Sequence, residues 1–183
     1  LRYDGMRRFH FWPQFRSFLL WEMEREYTPD KRRTLFSRGG LYYELQEDYA
    51  HALECYSLSG DHSKVSDLLI RNGELHPGMG HYYRSLPDSE VLASPSLMQG
   101  MSMLCALSMD YEGSERWYQE LQAFADRCDK QDAAKKQARS RLAWLDISLP
   151  QRRVEHLTET IPTIFHLLTN KEVVLPPFSV TST

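Results

Sequence analysis

Residues 39–69, GGLYYELQEDYAHALECYSLSGDHSKVSDLL, decide the fold of this chain. The stretch alternates very small residues with bulky aromatic ones inside segments whose apolar residues recur at helical spacing. A plain surface helix does not need that alternation. It is expected where two antiparallel helices cross closely, because small residues permit the approach and aromatic rings fill the space beside it. The stretch therefore predicts a tightly packed helical hairpin.

The order of small and aromatic residues in this hairpin is specific. Gly40, Tyr43, Ala52 and Tyr56 occupy alternating small and aromatic positions. This order resembles the tetratricopeptide repeat (TPR), a pair of antiparallel helices that stacks on neighbouring pairs to form a superhelix. An ordinary helical bundle, whose small residues fall at these positions by chance, is the alternative.

A second copy of the same offsets falls on residues 98–121. Ser102 and Ser114 take the small positions, Cys105 the first bulky position and Tyr118 the second aromatic position. The copies lie 62 residues apart, which is not one TPR period, so we expect an irregular array with a divergent unit between them.

The rest of the chain is expected to be helical as well. Pro13 is placed to begin a first helix, and residues 2–12 alternate in the manner of a short strand or hairpin. The predicted class is all-α, an irregular TPR-like antiparallel array (superhelix), with a strand remnant at the N-terminus. Helical spacing predicts the further helices 34–46, 48–59, 62–71, 75–85, 96–109, 112–129, 132–148 and 151–169, and a connector over 86–96 with one helical turn.

Composition and charge limit the function classes. Hydrophobic residues make up 42% and charged residues 26%, which is typical of a soluble globular protein in the cytoplasm. The charge is +4 over residues 1–40, −9 over 41–128 and +2 over 129–183. An acidic middle is a poor nucleic-acid surface, because phosphate neutralisation needs clustered cations. No run of eighteen apolar residues is present, so no membrane partner is expected.

Two longer segments carry a family resemblance. RFHFWPQFRSFLLWEMER, residues 8–25, resembles the winged-helix exit of MalT-like, LuxR-type transcriptional regulators, which belong to the signal-transduction ATPases with numerous domains. Residues 34–72 resemble the first helical repeat of that family, and residues 86–121 resemble the next unit. The match departs from the family pattern at Ser37–Gly40, and at Glu47, where a loop glycine is common. Beyond about residue 130 the resemblance is only to generic helical repeats.

The resemblance implies three segments and a role. Residues 1–27 would be the C-terminal part of a winged-helix-like connector, residues 34–170 the TPR-like repeats, and residues 171–183 an extended tail. The role would be that of a sensor or coupling segment in a longer regulator, binding a small-molecule effector or a regulatory protein and contacting other domains of the regulator. ATP binding, DNA binding and any self-association would reside in the full-length protein, because this chain has neither a GxxxxGK[ST] loop nor a terminal segment with the pattern of a helix-turn-helix. A stand-alone TPR-like protein-interaction scaffold is the alternative.

Few residues suggest chemistry of their own. No catalytic signature is present, and His76 and His81 are spaced for neither a metalloprotease motif nor a helical pair, so we expect no enzyme, no metal and no cofactor in this chain. Tyr82, Tyr83 and Arg84 are weak candidates for a concave ligand surface, and packing between helices is the alternative. The basic runs, Lys31–Arg33 among them, are expected to lie on solvated helix faces or to meet acidic neighbours in a longer protein. The three cysteines form no disulfide or metal pattern and are expected to pack as small hydrophobes.

Overall fold

The computed structural model describes residues 2–3, 9–72, 78–129 and 133–149. A two-stranded antiparallel hairpin, β1 (Arg2–Tyr3) and β2 (Phe9–His10), opens the chain, as predicted. All other regular structure in the described residues is helical, so the predicted all-α array is confirmed. The helices are α1 (Pro13–Glu26), α2 (Pro29–Leu45), α3 (Tyr49–Ser59), α4 (His62–Arg71), α5 (Gly80–Ser85), α6 (Asp88–Leu92), α7 (Pro95–Leu107), α8 (Tyr111–Arg127) and α9 (Ala133–Ser148).

The chain divides into two compact units, one from Leu1 to Asp61 and the other from His62 to Thr183. This division falls inside the segment 34–170 that was predicted to be one series of repeats. Each of the two predicted repeat copies lies wholly within one unit. None of the helices in the described part of the chain is both long enough and apolar enough to cross a bilayer.

The second helix begins earlier than predicted. The next helix was predicted to start at residue 34, but α2 starts at Pro29. Proline suits the first helical position because its missing N–H would be unpaired there. Thr28 is the N-cap, and its hydroxyl accepts a hydrogen bond from the Lys31 backbone N–H at 3.4 Å. Residues 28–33 therefore belong to the helix and its cap rather than to a connector.

The first unit contains the predicted hairpin, made of α2 and α3. Gly40 is buried at the crossing, and a Cβ added to it would lie 2.6 Å from the Tyr56 ring. Ala52 is fully buried, and the Tyr56 hydroxyl donates to a Glu44 carboxylate oxygen at 2.8 Å. The structure thus has a close approach at Gly40, where residue size predicted one, and Ala52 is buried in the same hairpin.

The second unit is organised around α7, which packs against α4, α5, α6, α8 and α9. The pairing of α7 with α8 contains the second predicted copy. Ser102 and Ser114 are fully buried, and the Ser102 hydroxyl donates to the Ser114 carbonyl at 2.9 Å. The Tyr118 hydroxyl donates to Asp146 on α9 at 2.8 Å. The core of this unit includes Val65, Leu68, Val91, Leu97, Met98, Trp117, Leu121 and Leu145.

The two hairpins have the same connecting turn. In the first, Glu47 has a left-handed φ of 58°, and in the second Met109 has a φ of 60°. The following aspartates, Asp48 and Asp110, donate their backbone N–H to the carbonyls of Tyr43 and Cys105 at 2.9 Å. This is the Schellman motif, in which a left-handed residue ends the helix. The turns lie 62 residues apart, which is the offset predicted from the sequence.

The remaining predictions differ in their outcomes. The helix predicted over 75–85 is shorter, since α5 starts at Gly80 and residues 73–77 lie outside the described part. The single turn predicted in the connector is present as α6. The helix predicted over 151–169 and the tail 171–183 lie outside the described residues.

Candidate ligand-binding groove

A groove of about 630 Å³ lies in the first unit, between α1, α2 and α3. Its size is within the range of small-molecule sites in proteins. One face of each helix contributes to it, and its walls combine aliphatic, aromatic and charged side chains. The lining residues are Arg16, Leu20, Met23, Glu24, Pro29, Arg32, Arg33, Phe36, Tyr43, His51, Glu54, Cys55 and Leu58.

The first helix, α1, buries little of its surface against the other described residues. It has no fully buried residue. Arg16, Leu20 and Met23 face the groove at helical spacing. The aromatic rings of α1 instead stack along the helix, with 6.4 Å between the centroids of Phe15 and Phe18, and both side chains are about half exposed. Because little apolar area is buried by α1, its position against α2 and α3 contributes little stability.

The opposite wall of the groove includes Tyr43 of α2 and His51 of α3. The His51 ring stacks on Tyr43 with 5.1 Å between the ring centroids, and His51 Nδ1 lies 2.8 Å from an Asp48 carboxylate oxygen. Asp48 is also the N-cap of α3. The turn that closes the hairpin therefore also orients two of the groove's side chains.

Charged groups in the groove differ in how far they are removed from water. Arg16, Arg33, Glu24 and Glu54 are exposed. Arg32 is half-buried, and its Nε is shielded from solvent without a hydrogen-bond acceptor among the described residues. An exposed ion is hydrated at no cost, whereas a buried donor without an acceptor is unfavourable. Arg32 was expected on a solvated helix face or beside acidic residues of a longer protein. Because Arg32 is half-buried, the first alternative is wrong, and the second stays a prediction.

The cysteines are less buried than expected, since Cys55, Cys105 and Cys128 are all half-buried. Burial, with Glu54 adding negative charge nearby, raises the pKa of the Cys55 thiol in the groove. A raised pKa keeps the thiol protonated at neutral pH and therefore a weak nucleophile. No group of three or more His, Cys, Asp or Glu residues in the described part of the chain is arranged to hold a metal ion, and His76 lies outside that part.

Tyr82, Tyr83 and Arg84 do not form one surface. Tyr83 is only 2% exposed, and a Cβ added to Gly100 would lie 2.5 Å from its ring. Burial raises the pKa of Tyr83 to about 12, although Arg141 opposes the shift. Arg84 is exposed and donates to the Ser108 hydroxyl at 2.6 Å. Tyr83 is thus a core residue, and a ligand role for Tyr82 and Arg84 stays a prediction.

A second polar cluster lies inside the other unit. Arg141 on α9 donates to the side-chain oxygen of Gln99 on α7. Gln99 is 1% exposed, and its Nε2 has no acceptor among the described residues. Burial lowers the pKa of Arg141, which Tyr83 partly offsets. The cluster links α5, α7 and α9.

The sequence contained a partial signal for the groove. Arg16, Leu20 and Met23 fall on one helical face, and the basic run at Arg32 follows directly after the next helix start. Nothing in those patterns shows that the two faces converge on α3. The groove therefore required the three-dimensional arrangement.

Comparison with known proteins identifies no family model, no curated protein and no solved structure that matches this chain.

Proposed function

We propose that this chain is the sensor or coupling segment of a MalT-like, LuxR-type regulator. In this proposal it binds a small-molecule effector or a regulatory protein in the cytoplasm. Binding then controls the ATP-dependent self-association and DNA binding carried by domains outside the chain. The observation that carries the proposal is the groove of about 630 Å³ beside the first repeat hairpin. The order of segments in the family resemblance supports it, because α1 would belong to the connector and α2 and α3 to the first repeat.

The loose attachment of α1 supplies a mechanism. A ligand in the groove would contact Leu20 and Met23 on α1 and also Phe36 and Leu58 on α2 and α3. It would therefore bind the arrangement in which the three helices are close, and would shift the population toward that arrangement. The shift available is set by the difference in affinity between the two arrangements. The connector would pass this change to the nucleotide-binding module.

A matched pair of substitutions tests the proposal in the parent protein. Leu58 lines the groove and is 55% exposed, and Leu107 at the end of α7 is 56% exposed and lies outside it. Leu58→Trp fills the groove and is expected to weaken ligand-dependent self-association and ATP turnover. Leu107→Trp adds the same ring at equal exposure and is expected to leave both unchanged.

Two results would contradict the regulator proposal. One is a parent reading frame without a phosphate-binding loop upstream and a helix-turn-helix downstream. The other is an equal response of the Leu58→Trp, Leu107→Trp and unmodified proteins. We also expect the chain alone not to hydrolyse ATP, which a phosphate-release assay checks. We expect it not to bind promoter DNA at physiological salt, which a gel-shift assay checks.

An apolar edge on α2 favours the second candidate, a stand-alone TPR-like interaction scaffold. Leu41, Tyr42 and Leu45 are 51%, 61% and 72% exposed, and Leu41 and Leu45 fall on the same helical face. Exposed apolar side chains in a cluster are typical of protein-binding surfaces. Leu45→Glu would abolish partner binding by a scaffold of this kind, whereas a groove-based sensor would keep its ligand.

A further inference from the structure

We infer that the groove between α1, α2 and α3 binds a small amphipathic anion, with a carboxylate or phosphate head on Arg32 and an apolar body along Leu20, Met23 and Leu58. The inference rests on the proposed function, since it names the class of ligand that the sensor would take. It is carried by the contrast between half-buried Arg32, whose Nε is shielded from solvent, and the apolar side chains that line the groove around it.

The head group of the ligand would bind at Arg32. The Nε of Arg32 is shielded from solvent and has no hydrogen-bond acceptor among the described residues. An anionic oxygen that binds the Arg32 guanidinium from the groove would form a charge-assisted hydrogen bond, which is about twice as strong as a neutral one. Pro29, in the first turn of α2, also lines the groove, and the positive end of a helix dipole favours an anion there.

The exposed charges do not change this polarity. Glu24 and Glu54 are solvated, as are Arg16 and Arg33. The lining therefore carries three arginines against two glutamates, and His51 is already in contact with Asp48. The exposed arginines add a weak attraction for an anion, which salt would screen. A cationic ligand would be repelled by half-buried Arg32, and the exposed Glu24 and Glu54 would offset that repulsion only weakly.

The apolar walls place the body of the ligand. Leu20 and Leu58 are 37% and 55% exposed in the groove, and Met23 and Phe36 are half-buried beside them. Covering these side chains would remove apolar surface from water on both α1 and α3. An inorganic anion could use Arg32 but would leave that surface wet. The affinity should therefore rise with the length of the apolar chain.

Isothermal titration calorimetry of the 183-residue chain with defined probes tests the inference. The probes are butanoate, octanoate, octyl phosphate, octylamine and inorganic phosphate. Octanoate and octyl phosphate are expected to bind, with affinity rising about two- to fourfold for each added methylene. The tighter of the two identifies the preferred head. Octylamine and inorganic phosphate are expected to bind at least about tenfold more weakly.

Two arginine variants separate the specific contact from general charge. Arg32→Met keeps the length of the side chain and should reduce octanoate affinity at least about tenfold. Arg33→Met removes an exposed charge from the same groove and should change it less than about threefold. Circular dichroism melting of both variants checks that the fold is kept. If Arg32→Met does not fold, Arg32→Lys serves instead, with a smaller expected loss because the planar donor set is absent.

The outcomes separate this inference from the proposed function. Equal affinity of octylamine and octanoate, equal effects of the two arginine variants, or no binding of any probe would overturn the ligand class. The effect of Leu58→Trp on self-association of the parent protein is independent of these probes. If Leu58→Trp has that effect while no probe binds, the sensor role stands and the ligand class fails. If octanoate binds through Arg32 while Leu58→Trp leaves regulation unchanged, the ligand class stands and the sensor role fails.

Discussion

The hairpin of α2 and α3 and the hairpin of α7 and α8 share a backbone design and differ in their surroundings. Their turns have the same backbone conformation at positions 62 residues apart, with left-handed φ angles at Glu47 and Met109. In the second hairpin, α7 packs against five other helices, and Trp117 on α8 is 3% exposed. In the first, α1 contributes no fully buried residue, and Leu45 is 72% exposed. One motif thus forms the core of a unit, while the other forms the wall of a groove.

The helix crossings explain how one motif serves both purposes. In the first hairpin Gly40 meets the face of the Tyr56 ring, and the Tyr56 hydroxyl is held by Glu44 of the same hairpin. In the second, two serines meet by hydrogen bonding, and the Tyr118 hydroxyl reaches Asp146 on a third helix. The first hairpin therefore satisfies its tyrosine internally. The second uses the equivalent tyrosine to attach its neighbour.

The largest expected effect is a loss of stability of the second unit at alkaline pH. Burial raises the pKa of Tyr83 to about 12 from a model-compound value of 10.0. Below pH 10 both folded and unfolded chains hold the proton. Above pH 10 the unfolded chain releases it first, so the free energy of unfolding falls as pH rises toward 12, by up to roughly 3 kcal/mol. Urea unfolding at a series of pH values, compared between Tyr83→Phe and the unmodified chain, isolates this contribution.

The neighbouring tyrosine is the control for that measurement. Tyr82 is half-buried, and Tyr82→Phe is expected to retain the alkaline fall in stability that Tyr83→Phe removes. If the free energy of unfolding depends on pH equally in Tyr83→Phe and in the unmodified chain, then ionisation of Tyr83 is not opposed by its burial between α5 and α7. The inference that the second unit is more densely packed than the first would then no longer be supported by the raised pKa of Tyr83.

The next effect concerns the crossing of the first hairpin. Gly40→Ala places a methyl group 2.6 Å from the Tyr56 ring, which cannot move without breaking its bond to Glu44. We expect a loss of about 2 kcal/mol in the free energy of unfolding, since overpacking strains both helices. Gly39→Ala is the matched control, because its methyl group would lie 3.4 Å from Cys55 Sγ in ordinary contact. That substitution should stabilise α2 by about 0.5–1 kcal/mol through helix propensity. Equal effects of the two substitutions, measured by urea unfolding, would contradict a tight crossing at Gly40.

Local features were predictable from the sequence, and features that depend on distant residues were not. The sizes of Gly40 and Ala52 and the spacing of the two copies predicted both hairpins, because a close crossing is decided by residues twelve apart. The start of α2 at Pro29 was not predicted, although a proline ring suits the first position of a helix. Tyr83 could be assigned to the core only after α7 brought Gly100 against it. The groove depends on the convergence of three helices, which no local pattern contains.

The smallest expected effect tests whether the two turns are equivalent in energy as well as in geometry. Gly60 ends α3 with the same left-handed backbone, at a φ of 74°, and its N–H and that of Asp61 make the same pair of hydrogen bonds. Glu47 and Met109 hold that conformation with a Cβ, which costs about 1 kcal/mol in a residue other than glycine. Both side chains are exposed, Met109 at 79%, so little packing is lost when they are removed.

Glu47→Gly and Met109→Gly are therefore expected to stabilise their hairpins by about 0.5–1 kcal/mol each, after allowance for the greater flexibility of glycine in the unfolded chain. The two gains should add in the double variant, because the turns lie in separate units. Glu47→Ala and Met109→Ala remove the same side chains but keep the Cβ, and should give no such gain. Urea unfolding measures the free energy of unfolding of the six proteins: the unmodified chain, the two glycine variants, their double variant and the two alanine variants. A gain at Met109 without one at Glu47 would mean that the first hairpin holds its turn in place by contacts that the second lacks, and that the two copies share a shape but not an energy balance.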